Sequence, residues 1–347
     1  MSASKPLGKK VLAWLLLATM VLALAGCGLR SVDNSAANAT PSVTQSVSRT
    51  PEPGEASPAP SATAEPPEET SWPPEEVDSK GYYTFSHADT VRQYLLYIPD
   101  GLEKNTPLVF MLHGYGSTAK QFRELTDMDA VADKYGFAVV YPQGLPGSDA
   151  YFSKACWNAD LDFTDTDDVG FLTALARYLQ KRYSLSSEYT FSAGFSNGGF
   201  MGYKLALSAP ETFKAVASIA GTMGRGLWAE KDEADTSVSI LQIHGTADRT
   251  IPIGGSLTQT GGFGGAPPIA EIIEFWRNKY GLNNVQEFDI PSATTAYHYD
   301  GDVSDCLVWY YEIEGLEHKW PTEAEAGLDA SEVAWEFFSR FIDQCGS

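Results

Sequence analysis

Gly194-Phe195-Ser196-Asn197-Gly198-Gly199 follows an apolar run, Tyr189-Thr190-Phe191-Ser192-Ala193, and opens a helix-like one, Phe200-Met201-Gly202-Tyr203-Lys204-Leu205-Ala206-Leu207. G-x-S-x-G between a strand and a helix marks a turn so sharp that its serine stands clear of the sheet. Positions two before and two after that serine leave no room for a side chain, which accounts for Gly194 and Gly198. A helix beginning beneath Ser196 presents unpaired N–H groups that favour a developing negative charge. The five-residue pattern alone also fits a Gly-rich turn with an incidental serine. The rest of the chain has to decide.

Working outward, the segments alternate between strand-like and helix-like. Tyr82-Tyr83-Thr84-Phe85 and residues 92–99 read as two strands around a turn, an antiparallel entry. Pro107-Leu108-Val109-Phe110-Met111-Leu112 is apolar throughout, as expected for a strand covered on both faces. One helical segment is expected to run to Tyr135, with a strand over residues 137–142. Residues 168–183 form a helix that sets Leu172, Leu175, Ala176 and Leu179 on one face. Beyond the Ser196 turn come strands at 215–219 and 238–244, and a helix carrying Ile269, Ile272, Ile273 and Trp276. Strands follow at 286–290 and 307–313, and a last helix turns Val333, Phe337, Phe338, Phe341 and Ile342 to the core. This alternation predicts an α/β protein with a doubly wound, mostly parallel sheet and antiparallel entry strands.

A serine hydroxyl is a useful nucleophile only when a base takes its proton and a carboxylate fixes the tautomer of that base. On such a fold the chain order is Ser, then Asp or Glu, then His. Three histidines follow Ser196. His318, in Gly315-Leu316-Glu317-His318-Lys319-Trp320-Pro321, comes just after the last predicted strand, at the edge where such sheets place their sites. His244 ends a strand in His244-Gly245-Thr246-Ala247-Asp248 and reads as a structural histidine holding that loop. His298 reads as a surface residue. Asp248 is the orienting acid. Two N–H donors should face the oxyanion: that of Asn197, and that of Tyr115 in the loop after the early strand, with Gly114 as the alternative to Tyr115.

Gly114-Tyr115-Gly116-Ser117-Thr118-Ala119 also fits the dinucleotide pattern, but the acid that pattern needs is missing: the next strand ends in Tyr141-Pro142-Gln143. The Gly-rich stretch within residues 254–267 follows no strand; it reads as a linker, bordering the pocket or closing over it as the alternatives. Five histidines are scattered and no C-x-x-C occurs, so neither a metal nor a cofactor is expected.

The N-terminus is of another kind. Lys5, Lys9 and Lys10 precede an uncharged apolar run over residues 11–25 that ends in Leu24-Ala25-Gly26-Cys27. Fifteen apolar residues fall short of the ~20 a membrane span needs. Residues 1–26 are therefore expected to be a signal peptide of the lipoprotein type, with Cys27 acylated. Residues 27–77, rich in Ser, Thr, Ala, Pro and Glu, cannot bury enough surface to fold and are expected to be a tether. Residues 78–347 remain as one catalytic domain. Cleavage after residue 26 leaves 21 basic against 45 acidic residues, near −24, compared with −21 for the whole chain. Such a charge argues against nucleic acid as a partner; the expected partners are an ester substrate and, through Cys27, the outer face of a bacterial membrane. One disulfide among Cys156, Cys306 and Cys345 suits an exported protein, with the pairing open.

His113-Gly114, Cys156-Trp157-Asn158, Asp167-Asp168-Val169-Gly170-Phe171-Leu172, the Ser196 motif, His244-Gly245-Thr246-Ala247-Asp248 and His318-Lys319-Trp320-Pro321 stand in an order that resembles the polyhydroxybutyrate depolymerase and feruloyl esterase family (carbohydrate esterase family 1). The resemblance covers about residues 94–341. It implies an α/β-hydrolase fold, a Ser196–His318–Asp248 triad with Tyr115 and Asn197 at the oxyanion, and Trp157 and Trp320 flanking the substrate pocket or packing in the core. Asp167 and Asp168 look structural, at a helix N-terminus. Family members carry glycines before the final histidine, whereas Leu316-Glu317 stand here; Glu317 would narrow the cleft or repel anions. The implied activity is a serine esterase on feruloyl or acetyl esters of plant cell-wall polysaccharide. A short-chain polyester hydrolase, an acyltransferase and a non-catalytic binding lipoprotein are the alternatives.

Overall fold

A computed structural model describes residues 76–148, 153–161, 164–258, 262–291 and 293–342. The chain divides into two units, Met1–Glu68 and Glu69–Ser347, and every described residue belongs to the second. The expected signal peptide, Cys27, nearly all of the expected tether and Cys345 lie outside the described residues. Among those described, no helix is long and apolar enough to cross a membrane.

Strands β1 (Tyr83–His87) and β2 (Thr90–Tyr97) form the entry hairpin, and β3 (Leu108–Leu112) leads through α1 (Ala119–Thr126) and α2 (Met128–Tyr135) to β4 (Ala138–Pro142). Short strands β5 (Leu145–Pro146) and β6 (Ala155–Cys156) pair with each other before α3 (Asp168–Tyr183). There follow β7 (Thr190–Phe195), α4 (Asn197–Ser208), β8 (Ala215–Ile219), α5 (Arg225–Glu230), β9 (Ser239–Gly245) and α6 (Ile269–Tyr280). The chain then runs through β10 (Asn284–Ile290), β11 (Thr294–Gly301), β12 (Ser304–Ile313), α7 (Glu323–Ala326) and α8 (Ala330–Ser339).

Ten strands of the described residues form one sheet in the order β1-β2-β4-β3-β7-β8-β9-β12-β11-β10. The six central strands run parallel, from β4 to β12. Both ends are antiparallel. Strands β3, β4, β8 and β9 are buried at every position, as expected of central parallel strands covered on both faces. One face packs α3, α4 and α6 through Leu172, Leu175, Tyr203 and Trp276. The other packs α1, α2 and α8 through Phe122, Val131, Phe337 and Phe338. The sheet is doubly wound.

Local chemistry sets the helix ends. Thr118 caps α1 by accepting from the Gln121 N–H, and Asp167 caps α3 by accepting from that of Gly170. The helix expected to run unbroken to Tyr135 is two helices instead. Asp127, at φ 46°, takes the left-handed conformation between them, which short polar residues tolerate. The last helix stops at Ser339, and Phe341 and Ile342 pack against the core beyond its end.

Strand β11 corrects another expectation. His298 lies on it as a partly buried residue: its ring stacks on Trp309 at 3.6 Å and its Nε2 is 2.8 Å from the Tyr311 hydroxyl. Burial holds that imidazole down at about 4. The disulfide expectation fails for two of its three candidates, because Cys156 and Cys306 are buried free thiols. Cys156 sits on β6, whereas Cys306 on β12 directs its Sγ to the Ser237 carbonyl at 3.2 Å.

Asp168 is not a helix cap but half of a buried ion pair. Its Oδ1 accepts from Arg92 Nη2 at 2.6 Å, with the two side chains 0 and 1% exposed. The Arg92 guanidinium lies 3.8 Å from the Phe171 ring centre. Burial raises the Asp168 carboxyl, while Arg92 and the Asn158 N–H pull it down. Breaking such a pair from one side strands a buried charge. Arg92→Met should therefore lower the unfolding free energy at pH 7 by about 3–5 kcal/mol. The double variant Arg92→Met/Asp168→Leu should recover part of that loss. Urea midpoints of the three proteins would test it.

Candidate active site

Parallel register brings the C-terminal ends of the central strands to one edge. Leu112 lies opposite Gly194, Gly194 opposite Ser218, Ile219 opposite Ile243, and Gly245 opposite Ile313. Loops leaving that edge carry Tyr115 after β3, Ser196 after β7, Asp248 after β9 and His318 after β12.

Ser196 sits at φ 52°, ψ −118° between β7 and α4, a backbone conformation that costs of order 1–3 kcal/mol. The chain turns there only because its neighbours are bare. A Cβ on Gly194 would collide with the Gly198 carbonyl oxygen, and one on Gly198 with that of Leu112. The Ser196 N–H is held by the Ile219 carbonyl at 2.9 Å.

His318 Nε2 is 2.9 Å from Ser196 Oγ, and its Nδ1 is 2.6 Å from Asp248 Oδ2. The Asp248 side chain is fully buried and that of His318 is 19% exposed. Asp248 Oδ1 accepts from the Thr250 and Ile251 N–H groups, both at 2.8 Å. Burial pushes the Asp248 carboxyl upward, but the hydrogen bonds from His318 and Ile251 and the facing charge outweigh it. The acid thus stays below its ordinary value and is ionised at neutral pH. Its loop is laced to that of His318: Thr246 N–H donates to the Ile313 carbonyl at 2.9 Å and Ala247 N–H to that of Leu316 at 3.1 Å. Phe195 packs on the His318 ring at 4.9 Å. Glu317 is exposed and Leu316 buried.

His244 is 3.7 Å from Asp248 but faces elsewhere. Its Nε2–H donates to the Ile251 carbonyl at 2.8 Å, and its Nδ1 accepts from Gln242 Nε2 at 3.1 Å. Gln242 in turn accepts from the Tyr203 hydroxyl at 2.7 Å. Burial lowers the His244 pKa. The ring is neutral and holds the Asp248 loop.

Asn197 is the first residue of α4, where N–H groups have no acceptor within the helix. Its side chain turns away: Oδ1 accepts from the Trp157 N–H at 2.7 Å and Nδ2 donates to the Trp157 carbonyl at 3.2 Å. The Gly114 loop lies against Ser196, since a Cβ on Gly114 would sit 3.5 Å from Ser196 Cβ. His113 Nδ1–H donates to the Gly114 carbonyl at 2.8 Å. That carbonyl shares a rigid peptide plane with the Tyr115 N–H, so gripping one aims the other. His113 Nε2 accepts from the Gly144 N–H at 3.0 Å, with Gln143 Nε2 at 3.1 Å. Burial drives the His113 pKa down to about 4.

Sequence reasoning placed His113 in a motif without a task; its position next to Gly114 was the available signal. Both tryptophans are buried. Trp157 is fully buried, with its Nε1–H donating to the His113 carbonyl at 2.8 Å. Trp320 is buried edge-on to Phe122 of α1 at 5.4 Å. Each ring fills core volume beneath the loops. Among the described residues no group of three or more His, Cys, Asp or Glu is placed to hold a metal.

Residues 92–256 match the family model described as Esterase PHB depolymerase. Feruloyl esterase C of Emericella nidulans is 27% identical over 253 residues, covering 71% of this chain and 83% of that one. Feruloyl esterase B of Thermothelomyces thermophilus is 33% identical over 144 residues, 40% of this chain, which thereby spans about half (46%) of that relative's length. Among solved structures, the acetyl xylan esterase from Aspergillus awamori covers 72% of this chain and 94% of its own at TM-score 0.54 and 18% identity. The shared architecture is the α/β-hydrolase fold.

His113 is neutral in the fold and stays so down to about pH 4, whereas in the unfolded chain it binds a proton near 6.5. Between those values the unfolded state holds more protons, so stability falls as pH drops through this window. Removing the titrating group with His113→Gln should flatten the loss. Urea unfolding of both proteins at pH 7 and pH 4.5 measures the difference, with the wild type expected to lose more.

Proposed function

We propose that this chain, a carboxylic ester hydrolase that belongs to the polyhydroxybutyrate depolymerase and feruloyl esterase family, is a serine esterase releasing feruloyl or acetyl groups from plant cell-wall polysaccharide. The observation that carries the mechanism is the line from Asp248 through His318 to Ser196, with contacts of 2.6 and 2.9 Å.

Ser196 Oγ attacks the ester carbonyl carbon while His318 Nε2 takes its proton. The carbonyl oxygen gains charge and is met by the N–H groups of Tyr115 and Asn197. Ionised Asp248 holds the His318 Nδ1–H and offsets the imidazolium that forms. As the tetrahedral intermediate collapses, His318 returns the proton to the departing alkoxide. Water, losing its proton to the same Nε2, then adds to the acyl-enzyme; as this second intermediate collapses, His318 passes that proton to Ser196 Oγ and the acid leaves. The feruloyl esterases among the relatives support the substrate class. The family description favours a second reading, a short oligoester of 3-hydroxybutyrate type, with the same chemistry.

A fluorophosphonate should label the wild type and leave Ser196→Ala unlabelled, with kcat/KM of the variant down by about 10⁴-fold or more. On wild type, methyl ferulate should exceed a 3-hydroxybutyrate dimer in kcat/KM by about a hundredfold, ~2.7 kcal/mol of transition-state discrimination. The reverse ratio would move the substrate to oligoesters and keep the mechanism. Placement at the cell surface through lipid on Cys27 rests on Leu24-Ala25-Gly26-Cys27. Labelled fatty acid should be incorporated in bacterial cells, and Cys27→Ala should abolish that incorporation; persistence of the label would exclude this anchor.

A further inference from the structure

A cavity of about 430 Å³ between α5 and the loop after Trp157 is lined by none of the acyl-transfer residues, and the acyl-transfer steps leave it unused. Asn158, Asp160, Asp165, Arg225, Glu230 and Phe263 contribute to its lining. We propose that this cavity receives the sugar that bears the ester, on the alcohol side of the scissile bond, and that it selects a neutral sugar over a uronate. The proposal rests on the polysaccharide-ester reading above and names the residues that would recognise the glycan.

Its placement comes from the segments that hold the nucleophile. Asn158 follows Trp157, whose main chain is bonded in both directions to the side chain of Asn197. Phe263 packs on Phe200 at 5.5 Å, and the Phe200 N–H donates to the Ser196 carbonyl at 3.0 Å. Helix α5 forms the outer wall. Its start is fixed by the Arg225 N–H on the Gly265 carbonyl at 3.0 Å and by Leu161 closing over Gly224, where a Cβ would collide with it. The Gly-rich stretch expected to be a linker thus contributes Phe263 to the wall.

The chemistry of the lining discriminates between the two halves of a feruloyl ester. A planar phenolic acyl group gains by burying apolar surface and calls for apolar walls. Here the lining is mostly polar and charged, with Leu161 and Phe263 as its large apolar residues. Carboxylates accept from hydroxyls, Arg donates to them, and an aromatic residue such as Phe263 can pack against a sugar ring. The volume lies in the range of small-molecule sites. Charge narrows the choice further. Asp160 is paired with Lys204 Nζ at 2.5 Å, which leaves Asp165 and Glu230 against Arg225. The balance is negative, and a sugar carboxylate would meet repulsion.

The test holds the acyl group constant and varies the alcohol. Full-length wild type and the variants Arg225→Ala, Glu230→Ala and Phe263→Ala would be assayed on methyl ferulate and on a feruloylated arabinoxylo-oligosaccharide. Arg225 and Glu230 are exposed, and thermal melts would verify that each variant folds. The variants should lose about tenfold or more in kcat/KM on the oligosaccharide ester and stay within about twofold on methyl ferulate. A matching oligosaccharide that carries a uronate should be the poorer substrate for wild type, and Glu230→Gln should narrow that gap. Equal losses on both esters, or none on either, would overturn the assignment. A wild type that cleaves methyl ferulate without gaining from the sugar would overturn the subsite and leave the esterase reading intact. A wild type inert to both ferulates yet active on the 3-hydroxybutyrate dimer would overturn the polysaccharide reading and the subsite with it.

Discussion

The close approach of three backbones at Ser196 is the constraint on which the rest depends. Leaving β7, the chain must reverse into α4 within one residue. It does so with Gly194 against Gly198 and Gly198 against the end of β3. No side chain larger than hydrogen fits at either contact. The strained torsions at Ser196 persist because the sheet pins both sides: Gly194 lies between Leu112 and Ser218, and the Ser196 N–H bonds to Ile219. The serine hydroxyl therefore projects from a fixed point above the strand ends, over the start of a helix.

From that point the site is assembled by buried polar groups rather than by its apolar core. The Asn197 side chain clamps the Trp157 main chain, the Trp157 indole holds the His113 carbonyl, and the His113 ring holds the Gly114 peptide. On the other flank, Tyr203, Gln242 and His244 form a chain that ends on the loop of Asp248. Each of these histidines is buried and so favours its neutral form, which has one donor and one acceptor. A neutral ring can thus serve as a directional link between two loops. Charging such a ring would cost the desolvation of a buried cation.

Much of the architecture was legible because it rests on local patterns. An unbroken apolar run marked β3, mostly apolar stretches marked β8 and β9 within a residue or so, and α3 begins and ends at the expected residues. Breaks in legibility have physical causes. Asp127 interrupts a helical pattern through one left-handed residue that composition does not announce. Strand β11 went unseen because its Thr-Thr-Ala-Tyr-His-Tyr sequence is polar and becomes a strand by pairing with β10 and β12. The tryptophans of the two motifs were legible as important and illegible in role. Whether an indole lines a cleft or fills the layer beneath depends on the path of loops from distant parts of the chain.

Sequence by itself determined the turn chemistry, the alternation of elements and the order Ser196, Asp248, His318, since glycine placement, apolar periodicity and residue type act over a few neighbours. Tertiary structure alone brings the histidine of that order to the serine. His318 lies 122 residues beyond Ser196 and 70 beyond Asp248. They meet because β7, β8, β9 and β12 stand side by side in parallel register, a long-range pairing that no local window contains. The same register turned His244, four residues from Asp248, into a brace for the Asp248 loop.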